Sequence, residues 1–257
     1  MSVVVISGAS SGIGFETSKL FADNGHTVYG LSRRGTGYEG AINLSADVTS
    51  DESVKAAFDT IIQKEGHIDI LINNAGFGIS GAVECTAIED AKRQFDVNLF
   101  GVLRCAQSAV PAMTKGSRIV NISSAAAIFS IPFQAFYSAS KFALNALTLA
   151  LANELKTFGV SVCAVMPGDV KTGFTEARHK CEDETARYGE AIKKSVAMME
   201  KDEQNGIPPN NMAAYIYKVA LKKHVKPLYA GGFKYKVFAL LSIDYTALGT
   251  IYPMSGF

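Results

Sequence analysis

Tyr137 and Lys141 stand four positions apart in the segment FYSASK, residues 136–141, among small neutral neighbours. On a helix, positions i and i+4 lie on one face, so the phenol and the ammonium would share an environment. A tyrosine hydroxyl with a pKa of about 10 trades protons near neutrality only if the phenolate is favoured by roughly 4 kcal/mol, at about 1.36 kcal/mol per unit. A unit positive charge about 4 Å away supplies on the order of 4 kcal/mol at an effective dielectric near 20. One lysine is therefore sufficient in principle. Taken alone, the same pair also describes a core tyrosine beside a solvated helix lysine.

A second cluster points to phosphate. SGASSGIG, residues 7–14, carries Gly8, Gly12 and Gly14 between an apolar run and a helical pattern. Such glycines permit a tight turn, close approach of backbone to phosphate, and a helix N-terminus whose N–H groups favour an anion. The spacing is G-x-x-x-G-x-G rather than G-x-G-x-x-G, so an ordinary glycine turn stays open on this segment alone. About 20 residues further on, where an acidic side chain would hold a free ribose 2′-hydroxyl, the chain reads GLSRR, with Ser32, Arg33 and Arg34. A carboxylate would repel a 2′-phosphate, and a guanidinium binds one through paired, charge-assisted hydrogen bonds. NADP(H) is the expected cofactor.

These groups need a scaffold. Short β-rich runs alternate with longer helical patterns: 3–7, 27–32, 41–45, 69–73, 118–123 and 160–165, with 226–230 as a further candidate. The runs are almost wholly apolar, which suits parallel strands covered on both faces. The T-x-x-E patterns at Thr49 to Glu52 and Thr86 to Glu89 predict capped helix starts. No repeat or Pro/Gly-rich linker divides the 257 residues, so one doubly wound α/β domain is expected, with ligands beyond the carboxyl ends of the strands.

Composition narrows the function classes. With 25 Lys+Arg against 24 Asp+Glu, the net charge of +1 gives no reason to expect nucleic acid or an anionic membrane as partner. A small-molecule ligand is expected. The four cysteines form no C-x-x-C pair, MSVVVISGAS lacks a basic leader, and VFALLSIDYTAL is interrupted by Asp244. A soluble, cytoplasmic setting without a transmembrane segment is expected.

Taken together and in order, SGASSGIG, Asp47 in ADVTS, NNAG at 73–76, Asn98 in FDVNLFG, Ser124 in IVNISSAA, Tyr137 with Lys141, and PGDVKTG from Pro167 resemble the short-chain dehydrogenase/reductase family over about residues 3–174. The resemblance implies a single Rossmann domain over 1–257, a parallel seven-stranded sheet in the order 3-2-1-4-5-6-7, and helices on both faces. It implies an oxidoreductase acting on CH–OH groups with NADP as acceptor. Tyr137 would be the proton donor in reduction and acceptor in oxidation, Lys141 would depress its pKa and bind the nicotinamide ribose, Ser124 would hold the carbonyl, and Asn98 would fix a water linking Lys141 to solvent. Ser123 beside Ser124 is the main ambiguity, and Ser124 is preferred because its spacing to Tyr137 matches the family. For the nucleotide, the implied contacts are Gly8, Ser10, Ser11, Gly12, Ile13, Gly14, Ser32, Arg33, Arg34, Asp47, Val48, Asn74, Ala75, Gly76, Tyr137, Lys141, Pro167, Gly168, Val170 and Thr172. Ser7 departs from the threonine usual in the family but keeps a hydroxyl.

The stretch AAAIFSIPFQAF between Ser124 and Tyr137, with Phe77, Ile79, Met166 and Phe174, predicts an apolar substrate pocket. A segment of about 172–208 reads as a lid, and the C-terminal extension of about 231–257 resembles those of hydroxysteroid and retinol dehydrogenase-like members. A steroid or another lipophilic carbonyl is the expected substrate. Two alternatives stand beside it: a ketoacyl carrier-protein reductase and a non-catalytic NADPH sensor. Phe142 to Leu155 is apolar on nearly all sides, which predicts that a second face meets another subunit, and the family resemblance implies a homodimer or homotetramer through this helix and the one near 89–113. The histidines and cysteines show no metal-ligand spacing, and no metal is expected.

Overall fold

The computed structural model describes residues 1–181 and 187–231. Seven strands make one parallel sheet: β1 Val3–Ser7, β2 Thr27–Ser32, β3 Ile42–Ser45, β4 Ile70–Asn73, β6 Arg118–Ile122, β7 Ser161–Pro167 and β9 Leu228–Gly231. A separate two-residue pair joins β5 Ile79–Ser80 to β8 His179–Lys180. The main order is β3-β2-β1-β4-β6-β7-β9, which is the expected 3-2-1-4-5-6-7 once the small pair is set aside.

Alternation along each strand sends side chains to two cores. Val3, Val5, Leu71, Ile119 and Val162 face one side and pack with Phe58 and Ile61 of α2 (Asp51–Glu65) and Cys105 and Ala109 of α4 (Gly101–Ala109). Val4, Ile6, Ile72, Val120 and Val165 face the other and pack with Phe21 of α1 (Gly12–Asp23) and Met212 and Ile216 of α7 (Pro209–Ala220). Both faces are thus covered, which explains why the strands read as continuous apolar runs.

The predicted helix starts shift. For α2 the cap is Ser50, not Thr49: its hydroxyl accepts from the Ser53 N–H at 3.2 Å, while Thr49 donates its hydroxyl to Asp47. Asp51 and Glu52 then sit in the first turn, and Gly66 closes the helix at φ 75°. The helix α3, Ile88–Phe95, begins without any side-chain cap, because Thr86 instead donates to the Ala82 carbonyl at 2.9 Å.

α5, Ala135–Glu154, carries Tyr137 and Lys141. Its buried face is largely polar: Ser138, Ser140, Lys141, Asn145 and Thr148 point inward beside Leu144. A relay fixes its rotation, from Asn73 Nδ2 to Asn121 Oδ1 at 2.9 Å, Asn121 Nδ2 to Thr148 Oγ1 at 2.9 Å, and Thr148 Oγ1 to the Leu144 carbonyl at 2.7 Å. Buried polar chains of this kind specify one register of helix on sheet. After α6, Gly189–Gln204, Ile207 pairs with Val170 in an isolated parallel bridge outside the sheet strands. Residues 232–257, most of the expected C-terminal extension, lie outside the described residues.

Candidate active site

The strands β1, β2, β4, β6 and β7 end along one edge, and a cleft of about 1280 Å³ runs across it. Every residue expected to contact the nucleotide lines this cleft except Gly14. Of the four expected catalytic residues, Ser124, Tyr137 and Lys141 line it and Asn98 does not.

The glycine loop is shaped by backbone. Gly8 and Gly12 adopt φ of +68° and +56°, a left-handed conformation that costs other residues strain. Gly14 sits behind the cleft because a Cβ there would fall 2.2 Å from the Gly8 carbonyl oxygen. Ser11, at the N-cap of α1, makes no side-chain cap and the first turn carries no acidic residue, so the leading N–H groups and dipole of the helix are available to an anion. Asn74 braces the loop through Nδ2, which donates to the Ser7 and Gly8 carbonyls at 3.1 and 3.0 Å. The Ser7 hydroxyl accepts from the N–H groups of Asn74 and Ala75 at 3.0 and 3.1 Å, so the short side chain suffices to tie β1 to the end of β4. These tight, donor-rich turns fit a dinucleotide phosphate.

At the end of β2, Ser32 donates to the Thr36 carbonyl and accepts from its N–H, closing a turn that leaves Arg33 and Arg34 exposed at the rim of the cleft. Asp47 accepts from the Thr49 N–H and hydroxyl at 2.9 and 2.7 Å, and the Thr49 N–H above all holds its carboxyl below the usual range.

Asn98 is fully buried in a π-turn, Asp96–Phe100, that interrupts the helix between α3 and α4. Its Oδ1 accepts from the Phe77 N–H, and its Nδ2 donates to the Phe77 carbonyl and to Ser140 Oγ, each at 3.1 Å. Gly76 lies against it: a Cβ there would be 3.1 Å from Asn98 Oδ1 and 3.6 Å from Lys141 Nζ. A π-turn re-aims one side chain within a helix, as at many functional sites.

The two serines part company. Ser124 hydrogen-bonds the Tyr137 hydroxyl, while Ser123 Oγ donates backward to the Lys141 carbonyl at 3.4 Å. Lys141 Nζ donates to the Ile122 carbonyl at 2.9 Å and stands 5.9 Å from the centre of the Tyr137 ring. The expected coupling, in which the lysine pulls the phenol toward neutrality, is not what this arrangement produces. Burial dominates both groups, since a low dielectric penalises each charged form. The Tyr137 hydroxyl is pushed above its ordinary value by burial, against a smaller lowering from the Ser124 hydrogen bond, and the Lys141 amine is pushed down to about 8 by burial. At neutral pH the phenol keeps its proton.

Toward the substrate end the wall is made of side chains. Phe77, Phe129, Ile131, Phe174, Met198 and Met199 line it, but Ile79 and Met166, also expected there, do not. Both are core residues: Ile79 is buried in β5, and Met166 Sδ accepts from Asn145 at 3.3 Å. Phe133 at φ 60° is the only described non-glycine residue in the left-handed region, and its carbonyl accepts from the Gly81 N–H at 2.9 Å. Sequence reasoning missed Arg178 and Glu203, which form an ion pair at this end of the cleft. Their only signal was a charged segment, indistinguishable from a solvated face. It also missed that β5 and β8 bring Asp90, His179 and Cys181 together, with ligating atoms within 4.8 Å and His179 Nε2 3.2 Å from Asp90.

Residues 2–183 match the profile of the short chain dehydrogenase family. The chain is 41% identical over 227 residues to the 3-ketodihydrosphingosine reductase of Bacteroides thetaiotaomicron, covering 86% of this chain and 84% of that protein. It is 36% identical over 248 residues to the probable short-chain type dehydrogenase/reductase VdlC of Helicobacter pylori, covering 93% and 91%. A short-chain dehydrogenase from Streptomyces avermitilis superposes with a TM-score of 0.84 at 28% identity, over 97% of this chain and 95% of that one.

Proposed function

The chain belongs to the short-chain dehydrogenase family, and from that premise we propose that it is an NADP(H)-dependent reductase of a lipophilic ketone or aldehyde. The observation that carries this reading is a single cleft lined by Arg33 and the glycine loop, by Ser124 and Tyr137, and by Phe77, Phe129, Phe174, Met198 and Met199.

Gly8 to Ile13 and the start of α1 would hold the pyrophosphate, and Arg33 and Arg34, at an end of β2 that itself carries no carboxylate, would hold the 2′-phosphate. Asp47 and Val48 would flank the adenine, Asn74 to Gly76 its ribose, and Pro167, Gly168, Val170 and Thr172 the nicotinamide. The bound nucleotide supplies the hydride. Ser124 donates to the substrate oxygen and orients it toward the Tyr137 hydroxyl. Tyr137, kept protonated by burial, gives its proton to that oxygen as negative charge develops on it. The phenolate left behind is then stabilised by the Lys141 ammonium on the next helical turn. Asn98 holds the Phe77 backbone, and with it the loop that carries Gly76 past Lys141.

The apolar end favours a long or fused-ring carbonyl compound over a small charged one. The name of the 41% identical relative makes 3-ketodihydrosphingosine the first compound to try. α6 contributes Ser195, Met198, Met199, Asp202 and Glu203 to the cleft and serves as its lid. A second copy of the chain in a cytoplasmic homo-oligomer is the natural cover for exposed Ile88, Phe100 and Leu149, which sedimentation velocity tests.

The test of the activity is NADPH consumption with a panel of 3-ketodihydrosphingosine, ketosteroids, retinaldehyde, medium-chain ketones and acyl thioesters. Turnover is expected with at least one lipophilic ketone, and acyl thioesters are expected to be poorer. A preference for acyl thioesters would move the reading to carrier-protein reduction, and tight NADPH binding with no turnover of any compound would make the protein a sensor.

A further inference from the structure

Asp90 of α3, His179 of β8 and Cys181 just beyond that strand converge outside the groups assigned to nucleotide and carbonyl, with one ligating atom of each within 4.8 Å of the others. His179 and Cys181 are two positions apart along one ladder, so their side chains share a face. Their N–H groups donate to the Gly78 and Ser80 carbonyls at 3.0 and 2.8 Å, which fixes both backbones on β5. Gly81 lets the two chains close in, since a Cβ there would stand 2.7 Å from Cys181 Cβ. From α3, Asp90 brings a carboxylate whose oxygens are divided: Oδ1 accepts from Arg93 Nη2 at 2.9 Å, and Oδ2 lies 3.2 Å from His179 Nε2.

A carboxylate, an imidazole and a thiol are the side chains that ligate zinc. The mixture is selective, because sulfur and imidazole suit Zn²⁺ and its transition-metal neighbours, whereas Mg²⁺ and Ca²⁺ take oxygen. Tetrahedral bonds of about 2.0–2.3 Å set ligand atoms about 3.5 Å apart. Asp90 and His179 are already at that spacing, and the widest pair has at most about 1.3 Å to close, which side-chain rotation supplies. Outer partners are in place as well: Arg93 holds the carboxylate oxygen that the imidazole does not face, and Thr86 hydrogen-bonds the Cys181 sulfur. Charge balances, since a carboxylate and a thiolate neutralise a dication, the thiol giving its proton to water as the Zn–S bond forms. The His179 side chain is 44% exposed and leaves an entry path. An Asp90–His179 hydrogen bond by itself accounts for two of these groups and not for the thiol beside them.

We propose that Asp90, His179 and Cys181 form a zinc site with three protein ligands and water in the fourth position. Its place gives it a role: β8 follows directly on Phe174, Ala177 and Arg178 of the cleft wall, so the ion ties that wall to α3. The site is independent of the reductase reading, needing neither nucleotide nor ketone.

The test uses the reduced, metal-stripped full chain, with Co²⁺ as spectroscopic probe and Zn²⁺ as competitor. Stoichiometric Co²⁺ is expected to give tetrahedral visible bands and a thiolate-to-cobalt charge-transfer band; Zn²⁺ is expected to abolish both, and excess Mg²⁺ neither. Cys181→Ser is expected to lose the charge-transfer band. Asp90→Asn and His179→Gln are expected to weaken Zn²⁺ binding by at least about tenfold to hundredfold, the loss that removing an outer partner alone produces. Zn²⁺ is also expected to raise the Tm of the wild type and not that of Cys181→Ser, because a ligand that binds only the folded chain stabilises it. Three separate variants keep the test decisive if one of them fails to fold. A wild-type cobalt spectrum without the charge-transfer band, a band that survives in Cys181→Ser, or Zn²⁺ affinities within about threefold across the wild type and the variants would each overturn the proposal and leave an ordinary Asp90–His179 hydrogen bond.

Discussion

At the β1–α1 end the cleft wall is backbone: Gly8 and Gly12 at positive φ, Gly14 pressed on the Gly8 carbonyl, and Ser7 and Asn74 bracing them. At the α6 end it is side chain: Phe174, Met198, Met199 and the Arg178–Glu203 pair, drawn from segments 25 residues apart. The first end has no freedom to lose a methyl's width, whereas the second can change composition without moving the sheet. A family that keeps one cofactor and varies its substrates would be expected to divide its site in this way, with the invariant partner read by backbone and the variable one by side chains.

Where the two ends meet, Tyr137→Phe is expected to have the largest effect, lowering kcat by about 10²- to 10⁴-fold with NADPH affinity nearly unchanged, measured by steady-state turnover and calorimetry. Near wild-type kcat would separate the chemistry from this cleft. Gly14→Ala tests the rigidity of the backbone end: a Cβ 2.2 Å from the Gly8 oxygen forces the loop apart, with an expected loss of ~3 kcal/mol in urea denaturation and of measurable NADPH binding. Phe174→Ala, by contrast, is expected to change KM for the ketone and leave NADPH affinity alone, and a matching loss of nucleotide binding would erase the distinction between the ends.

Lys141 gives a pH test. Its amine is held down to about 8 in the fold, while an unfolded chain returns it to about 10.4. Between those values the unfolded chain carries a proton that the folded one has shed, so unfolding free energy rises with pH over that window. Relative to Lys141→Met, the nucleotide-free wild type is expected to gain ~2 kcal/mol between about pH 8 and about pH 10. A flat difference would show that the amine is not buried as described. The smallest expected effect is that of Arg33→Ala, a rise of about tenfold in KM for NADPH with KM for NADH changed less than about twofold. Equal changes would remove the 2′-phosphate assignment.

The same division explains what could be read from the sequence. Strands such as Val3–Ser7 and Thr27–Ser32 were legible to the residue because both faces are buried and each run is apolar throughout. The glycine loop and the Tyr137–Lys141 pair were legible because their meaning is local, a few positions of one turn or helix. What was not legible depends on distant partners. The Asn73–Asn121–Thr148 relay links residues 48 and 27 positions apart, and the π-turn around Asn98 leaves the helical pattern of its neighbours intact. Ile79 and Met166 carry the same apolar chemistry as Phe77 and Phe174, and only the pleat of β5 and β7 decides which of them face the cleft. The surroundings of Tyr137 were not legible for a related reason: the lysine stands four positions away in the sequence, and the burial that raises the hydroxyl's pKa comes from residues distant in the chain.

The protonation state of Tyr137 is the most direct quantity to measure. Carbon NMR of the nucleotide-free protein labelled at tyrosine Cζ, with Tyr137→Phe for assignment, follows that one hydroxyl through its titration. Expected is a phenol that stays protonated past its ordinary value of about 10, the condition of a donor that yields its proton only to a substrate oxygen. A midpoint near neutrality would contradict it and return the site to a phenolate poised by its lysine.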